Sequence, residues 1–147
     1  MSESLDRLVS ARARTWTVWA GRSMIGIGIL HVLYFTKKTW PYWAGWMGGD
    51  LRGLDVASRG ASFSHEGFWA LPGGFTATLV LLGLVAIRMA KAGFSLPGYV
   101  GWGLGAWAAL CSVICEPSGF PLGLVPAVLL VAAHSRNRAD ATNAMLR

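Results

Sequence analysis

The sequence predicts an all-α integral membrane protein, a four-helix bundle with a partly helical, aromatic-rich loop outside the membrane. Composition and one long uncharged stretch are the observations that predict it. Hydrophobic residues make up 54% of the chain and charged residues 14%, whereas about 25% of a soluble domain is charged. From Leu96 to His134 the only charged residue is Glu116, which Pro117 follows. About 20 apolar residues cross a bilayer, so this stretch is expected to form two helices that turn at Glu116.

Four membrane spans are expected in a single membrane domain covering residues 1–147. Apolar stretches place them at about residues 16–35, 68–89, 96–115 and 120–134. A short amphipathic helix on the membrane surface is expected before them, at residues 2–15. The residues after the first span do not resemble a cleavage site, so this span is predicted to remain as an anchor.

The connection between the first two spans, residues 36–66, is too long for a structureless loop. Its aromatic residues, among them Trp43 and Trp46, are typical of a membrane interface. Asp50 is suited to cap a short helix after it, and Asp55 lies within that helix. We therefore expect a partly helical lid that lies on the bundle.

The distribution of basic residues predicts the orientation, because cytoplasmic loops of membrane proteins are enriched in Lys and Arg. With a cytoplasmic N-terminus, the basic residues of that side are Arg7, Arg12, Arg14, Arg88, Lys91, Arg136, Arg138 and Arg147. Those of the far side are Lys37, Lys38, Arg52 and Arg59. This asymmetry places both termini on the cytoplasmic side of the membrane.

Ionisable residues are expected to converge at the outer end of such a bundle. An even number of spans brings the end of the first, the start of the second and the end of the third to one side of the membrane. The residues gathered there are His31, His65, Glu66 and Glu116, with Asp50 and Asp55 in the covering loop. Ionisable groups at membrane depth are candidates for function.

Small residues indicate that Glu116 faces the bundle. Gly101, Gly105 and Ser112 share a helical face with Glu116, and Gly-x-x-x-Gly pairs typically pack against another helix. Burial would favour the protonated form of such a carboxyl group, and a neighbouring histidine is able to relay the proton. The simpler alternative is that Glu116 caps a hairpin, that His65 and Glu66 lie among headgroups, and that His31 bonds a carbonyl group.

Residue spacings typical of metal sites and of nucleic-acid binding are missing from the sequence. No metal-ligand motif is present, so no metal and no cofactor are expected. Basic residues form no stripe despite the formal charge of +6, which argues against nucleic acid and for anionic lipid headgroups. Cys111 and Cys115 lie one helical turn apart and are interpreted as buried apolar residues.

Eight tryptophans indicate either an interfacial belt or an aromatic wall that holds a lipophilic ligand. The residues proposed for the wall are Trp43, Trp46, Trp69 and Trp107. The belt accounts for most of the tryptophans at least as well.

Several short motifs resemble those of a family of small bacterial four-helix membrane proteins with no assigned activity, commonest in actinobacteria. They are Gly28-Ile29-Leu30-His31, the Trp-rich loop, Gly67-Phe68-Trp69 with Pro72-Gly73-Gly74, and Pro117-Ser118-Gly119-Phe120 with Pro121 and Pro126. The resemblance covers roughly residues 20–134 and implies the four-span fold. A looser analogy exists to emopamil-binding sterol isomerases and membrane terpene cyclases, which protonate isoprenoids with acidic residues inside a helical bundle.

Three functions remain open from the sequence. The first is an acid-initiated isomerase or cyclase of a lipophilic, isoprenoid-like molecule, with Glu116 as the acid and His31 or His65 as the relay. The second is a non-catalytic membrane partner or structural subunit. The third is a small proton-coupled exporter. Each of them acts within the membrane on a lipophilic molecule, a lipid or a partner protein, and each allows a homo-oligomer.

Overall fold

The chain is all-helical in the computed structural model, which describes residues 10–49, 51–52, 59–115 and 118–146. The all-α prediction is confirmed for these residues. The helices are α1 (Ala11–Thr39), α2 (Trp43–Gly48), α3 (Arg59–Ala70), α4 (Thr76–Lys91), α5 (Gly98–Ile114) and α6 (Leu124–Met145). Short 3-10 turns lie at Trp40–Tyr42 and Phe120–Gly123. The contacts divide the chain into one unit of Met1–Ile27 with Val80–Arg147 and a second of Gly28–Leu79; the single membrane domain stays a prediction.

In the first unit, α5 and α6 pack through small residues. A Cβ atom added to Gly101 would lie 3.0 Å from the Cβ atom of Leu130 and from the backbone nitrogen of Val131. Ala108 is fully buried and lies 3.1 Å from where a Cβ atom of Gly123 would be. The close approach of two helix backbones at glycine was expected for Gly101, and it sets the spacing of this hairpin.

Another helix contact of the first unit joins α1 and α4. A Cβ atom on Gly21 would lie 2.6 Å from the carbonyl oxygen of Gly83, and one on Gly83 would lie 2.7 Å from that of Gly21. Met24, Ala86 and Ala90 are fully buried. Only hydrogen atoms fit between the two backbones where they cross.

The second unit combines the end of α1 with α2 and α3. Helix α1 runs past the predicted end of the first span, and Lys37 and Lys38 lie in its last turn, where basic side chains complement the helix dipole. Gly49 ends α2 with a left-handed φ of 92°. The predicted partly helical loop is thus helical wherever the structure describes it apart from short turns. The short helix predicted after Asp50 lies largely outside the described residues.

Two predicted segments have different bounds in the structure. The second span, expected at residues 68–89, is interrupted between Ala70 and Thr76. Pro72 has no N–H group to continue the hydrogen bonds of α3, and Gly73 donates its N–H to the carbonyl oxygen of Phe68 instead, at 2.9 Å. The surface helix expected at residues 2–15 belongs to α1 from Ala11 onward; residues 2–9 lie outside the described ones.

One helical stretch among the described residues, Ala11–Gly48, is long and apolar enough to cross a membrane by length and composition alone. A window of 18 residues within it has a mean hydropathy of 1.3. Helix α5 is apolar but shorter than that criterion requires. This finding is weak evidence for association with a membrane.

Candidate functional site

The aromatic cluster of the second unit contains five rings that follow one another in contact. It consists of Trp40, Trp43, Trp46, Phe68 and Trp69. Successive ring centroids are 5.1, 5.3, 6.4 and 5.5 Å apart, within the range of favourable aromatic pairs. Trp40, Trp43 and Trp46 lie three residues apart on adjoining helical turns, which aligns their side chains. The cluster therefore joins the end of α1 and α2 to α3.

Hydrogen bonds fix the two tryptophans proposed from this part of the sequence. The indole N–H of Trp46 donates to the carbonyl oxygen of Ser64 at 2.6 Å. The indole N–H of Trp43 donates to Thr39 Oγ1 at 3.0 Å. A Cβ atom on Gly67 would lie 3.2 Å from both Thr39 and Trp46, so α3 reaches this close only because residue 67 lacks a side chain. Both indole rings are held in position and half-buried.

His65 and Trp69 form the polar edge of the cluster. The indole N–H of Trp69 donates to His65 Nε2 at 2.9 Å. An indole nitrogen only donates, so His65 Nε2 carries no proton and the neutral ring holds its proton on Nδ1. The Trp69 side chain is 55% exposed. This pair presents a flat apolar surface beside one N–H donor.

His31 stabilises the end of α3. Its Nε2 lies 2.7 Å from the carbonyl oxygen of Ala70, and since a carbonyl only accepts, Nε2 carries the proton. The ring is 4.4 Å from that of Phe35 and 5.0 Å from that of Phe75. The last carbonyl groups of a helix lack partners within it, and His31 supplies one. This is the simpler role considered for His31.

Of the remaining predicted site residues, two are among the described residues and three lie outside them. Glu66 is exposed. Trp107 belongs to α5 in the first unit, where its ring lies 5.4 Å from Phe120. Asp50, Asp55 and Glu116 lie outside the described residues, so their convergence with the histidines stays a prediction. Among the described residues no group of three or more His, Cys, Asp or Glu side chains is placed to hold a metal ion.

Several residues that support the cluster were not predicted from the sequence. Thr39 and Ser64 accept the indole hydrogen bonds, and Phe63 stacks on Tyr42 with centroids 5.2 Å apart. Ser64 is also only 3% exposed. A polar residue among aromatic ones on one helical face is the signal that would have pointed to it.

A sequence profile of a family of unknown function, DUF6463, matches residues 15–137. The chain belongs to this family. The expected resemblance to a family without assigned activity, over roughly residues 20–134, is consistent with this match. No curated protein and no solved structure matches the chain. The analogy to sterol isomerases and terpene cyclases is therefore unsupported by the comparisons with known proteins.

Proposed function

We propose that this DUF6463 member is a multi-pass membrane protein that binds a lipophilic molecule at its aromatic cluster. The observation that carries the membrane assignment is where small and large apolar residues lie in the first unit. Small residues, such as Gly101 and Ala108 of α5, form the helix contacts, whereas large apolar residues lie on the surface. In water the larger apolar side chains would be buried, and in lipid small residues drive helix association.

Exposed side chains extend this pattern along the helices. On α5 the exposed fractions are 68% for Trp102, 60% for Leu110 and 82% for Val113, and this helix has no charged residue. On α4, Leu81 is 61% exposed. Soluble monomers rarely expose apolar surface on this scale. This exposed apolar surface supports the proposed four-span topology, and the distribution of basic residues in the sequence supports the proposed cytoplasmic termini.

Alkaline carbonate extraction of membranes tests this assignment. We expect the protein to stay in the pelleted membranes, because its apolar surface has no other stable environment. Release into the supernatant would contradict a spanning topology. Single cysteines in a Cys111→Ser, Cys115→Ser background, one at Met47 and one at Phe94, test the sidedness. An impermeant maleimide added to intact cells should label the first and not the second.

The ligand assignment is supported by the exposure and fixation of the cluster. Trp40 is 66% exposed and Trp69 55%, while hydrogen bonds hold Trp43, Trp46 and Trp69 in place. Rigid aromatic surfaces cost little conformational entropy when they bind a flat apolar molecule. The His65 N–H beside them adds a directional contact, which an interfacial belt does not require.

Mass spectrometry of molecules that co-purify with the protein in mild detergent tests the ligand. We expect a specific lipophilic compound with the wild type, and its loss in Trp69→Leu. Trp19→Leu is the matched control, because Trp19 is similarly exposed at 56% and belongs to the first unit, where its ring contacts Arg22. Bulk phospholipid alone in all three samples would contradict ligand binding.

The acid-initiated isomerase or cyclase is the catalytic form of this proposal, with Glu116 as the proton donor. Its support is the sequence position of Glu116 alone. Glu116→Gln should leave the fold intact while the precursor replaces the product in the co-purified material. Unchanged conversion would refute this role. The non-catalytic alternative is favoured by one observation, the use of His31 as a partner for the Ala70 carbonyl group.

A further inference from the structure

Carbonyl oxygens in the last turn of α3 accept hydrogen bonds from residues outside this helix. The carbonyl oxygen of Phe68 accepts hydrogen bonds from the N–H groups of Leu71 and Gly73, at 3.2 and 2.9 Å. The carbonyl oxygen of Ala70 accepts one from His31 at 2.7 Å. Two backbone acceptors at this end, the carbonyl oxygens of Phe68 and Ala70, thus have protein partners.

The first backbone N–H groups of α4 have no such partners. Its first intrahelical hydrogen bond runs from the N–H of Leu79 to the carbonyl oxygen of Phe75, at 2.8 Å. The N–H groups of Thr76, Ala77 and Thr78 therefore have no intrahelical acceptor. None of these three N–H groups donates a hydrogen bond to another of the described residues.

Thr76 supplies an independent sign of a missing partner. Its side-chain oxygen is buried and has no hydrogen-bond partner among the described residues, and the residue is only 4% exposed. A buried hydroxyl group without a partner costs about 1–3 kcal/mol, so such groups are normally bonded. Ala77 and Thr78, which follow it, are exposed, so the first turn of α4 reaches the surface of the described structure.

The local charge indicates which partner fits. The N-terminus of a helix carries roughly half a positive charge, and the first turn of α4 has no acidic residue to neutralise it. From Gly60 to Ile87 the chain has no Lys or Arg, so no full positive charge of this segment compensates a doubly charged group. A single negative charge with two oxygens, a carboxylate, matches the free donors.

We propose that the start of α4 binds the carboxylate group of a lipophilic acid, with donation from Thr76 Oγ1 and from the N–H groups of Thr76, Ala77 and Thr78. Interrupted membrane helices direct their free N-termini at anionic groups in this manner. The inference rests on the proposed function, since it identifies the chemical class of the lipophilic molecule. The hydroxyl group of Thr76 gains the acceptor that it lacks.

Saturable binding of radiolabelled oleate to the protein in phosphatidylcholine nanodiscs tests this site, with empty nanodiscs as the background. Oleate should bind at least tenfold more tightly than methyl oleate, because the ester has the same chain without the charge. Thr76→Val should weaken oleate binding about tenfold, since a hydrogen bond to a charged group is worth about that factor. Thr76→Ser, which keeps the hydroxyl group, should restore it.

Thr17→Val is the matched control. The hydroxyl group of Thr17 is also buried, but it donates to the carbonyl oxygen of Ala13 at 2.9 Å, so its loss should leave oleate binding unchanged. Equal binding of oleate and methyl oleate by the wild type would overturn the carboxylate site and leave the lipophilic ligand in place. Absence of saturable binding for both compounds would overturn the proposed ligand binding itself. The comparison of acid and ester needs no variant, so it decides the matter even if Thr76→Val fails to fold.

Discussion

Replacing Gly21 by alanine should destabilise the first unit, because the new Cβ atom has no room. It would lie 2.6 Å from the carbonyl oxygen of Gly83 and 2.6 Å from a side-chain carbon of Ile87. Ordinary van der Waals contact begins at 3.4 Å, so α1 and α4 must separate by about 0.8 Å at their crossing. A gap of that size forfeits a quarter to a half of the dispersion energy of each contact across it.

The expected loss in the free energy of unfolding is about 1–3 kcal/mol, the usual cost of an added methyl group in a well-packed contact. Gly26→Ala is the matched control, because Gly26 lies on the same helix and its Cβ atom would meet nothing within 4 Å. Alanine favours helix over glycine by up to about 1 kcal/mol, so this variant should be neutral or more stable. Unfolding by a denaturing detergent in mixed micelles measures both.

Two further predictions concern other contacts. Gly101→Ala should destabilise the α5–α6 hairpin by about 1–3 kcal/mol, because its Cβ atom would lie 3.0 Å from neighbouring atoms. Gly103→Ala, which meets nothing within 4 Å, should not, and equal unfolding midpoints would contradict the inferred contact. His31→Phe keeps an aromatic ring but leaves the Ala70 carbonyl group without its donor, at a cost of about 1–3 kcal/mol. His31→Gln retains a donor and should lose less; an equal loss in both variants would mean that the hydrogen bond contributes nothing.

Unfolding of Gly21→Ala and Gly26→Ala at the same detergent concentration would refute the close contact of α1 and α4 at Gly21. Such a result would mean that the two helices do not approach at the glycines. A loss in Gly21→Ala that Gly83→Ala fails to reproduce would also contradict the contact. A Cβ atom added to either glycine would lie 2.6 to 2.7 Å from the backbone carbonyl oxygen of the other, so both substitutions must separate the same pair of helices.

The sequence predicted those features that depend on local pattern. The small face of Gly101 and Gly105 indicated the packed side of α5, and Gly101 does contact α6. Trp43 and Trp46 belong to a loop that the sequence predicted to be partly helical, and both lie in α2. Spacing along one helix fixes which side chains share a face, so such features require no knowledge of the partner.

The features that the sequence did not predict depend on pairs distant along the chain. Nothing in the pattern around His31 identifies Ala70 as its partner, and nothing around Gly21 identifies Gly83. The interruption of the second span was visible in Pro72 and Gly73, but the apolar residues on both sides favoured one continuous span. Hydropathy measures only transfer into lipid, whereas a helix break follows from which N–H groups find acceptors.

The interruption of the second span also constrains where the protein is able to reside. Unpaired N–H groups are tolerated at membrane depth only where protein or a polar cavity surrounds them, and each unsatisfied group exposed to hydrocarbon costs several kcal/mol. Thr76 is buried, while Ala77 and Thr78, which supply the other free donors, are exposed. If α4 spans the bilayer, those donors require an acceptor that the described residues do not supply. A protein with exposed apolar helices in a membrane therefore needs an acceptor for the free N–H groups at the start of α4. The carboxylate proposed above is such an acceptor.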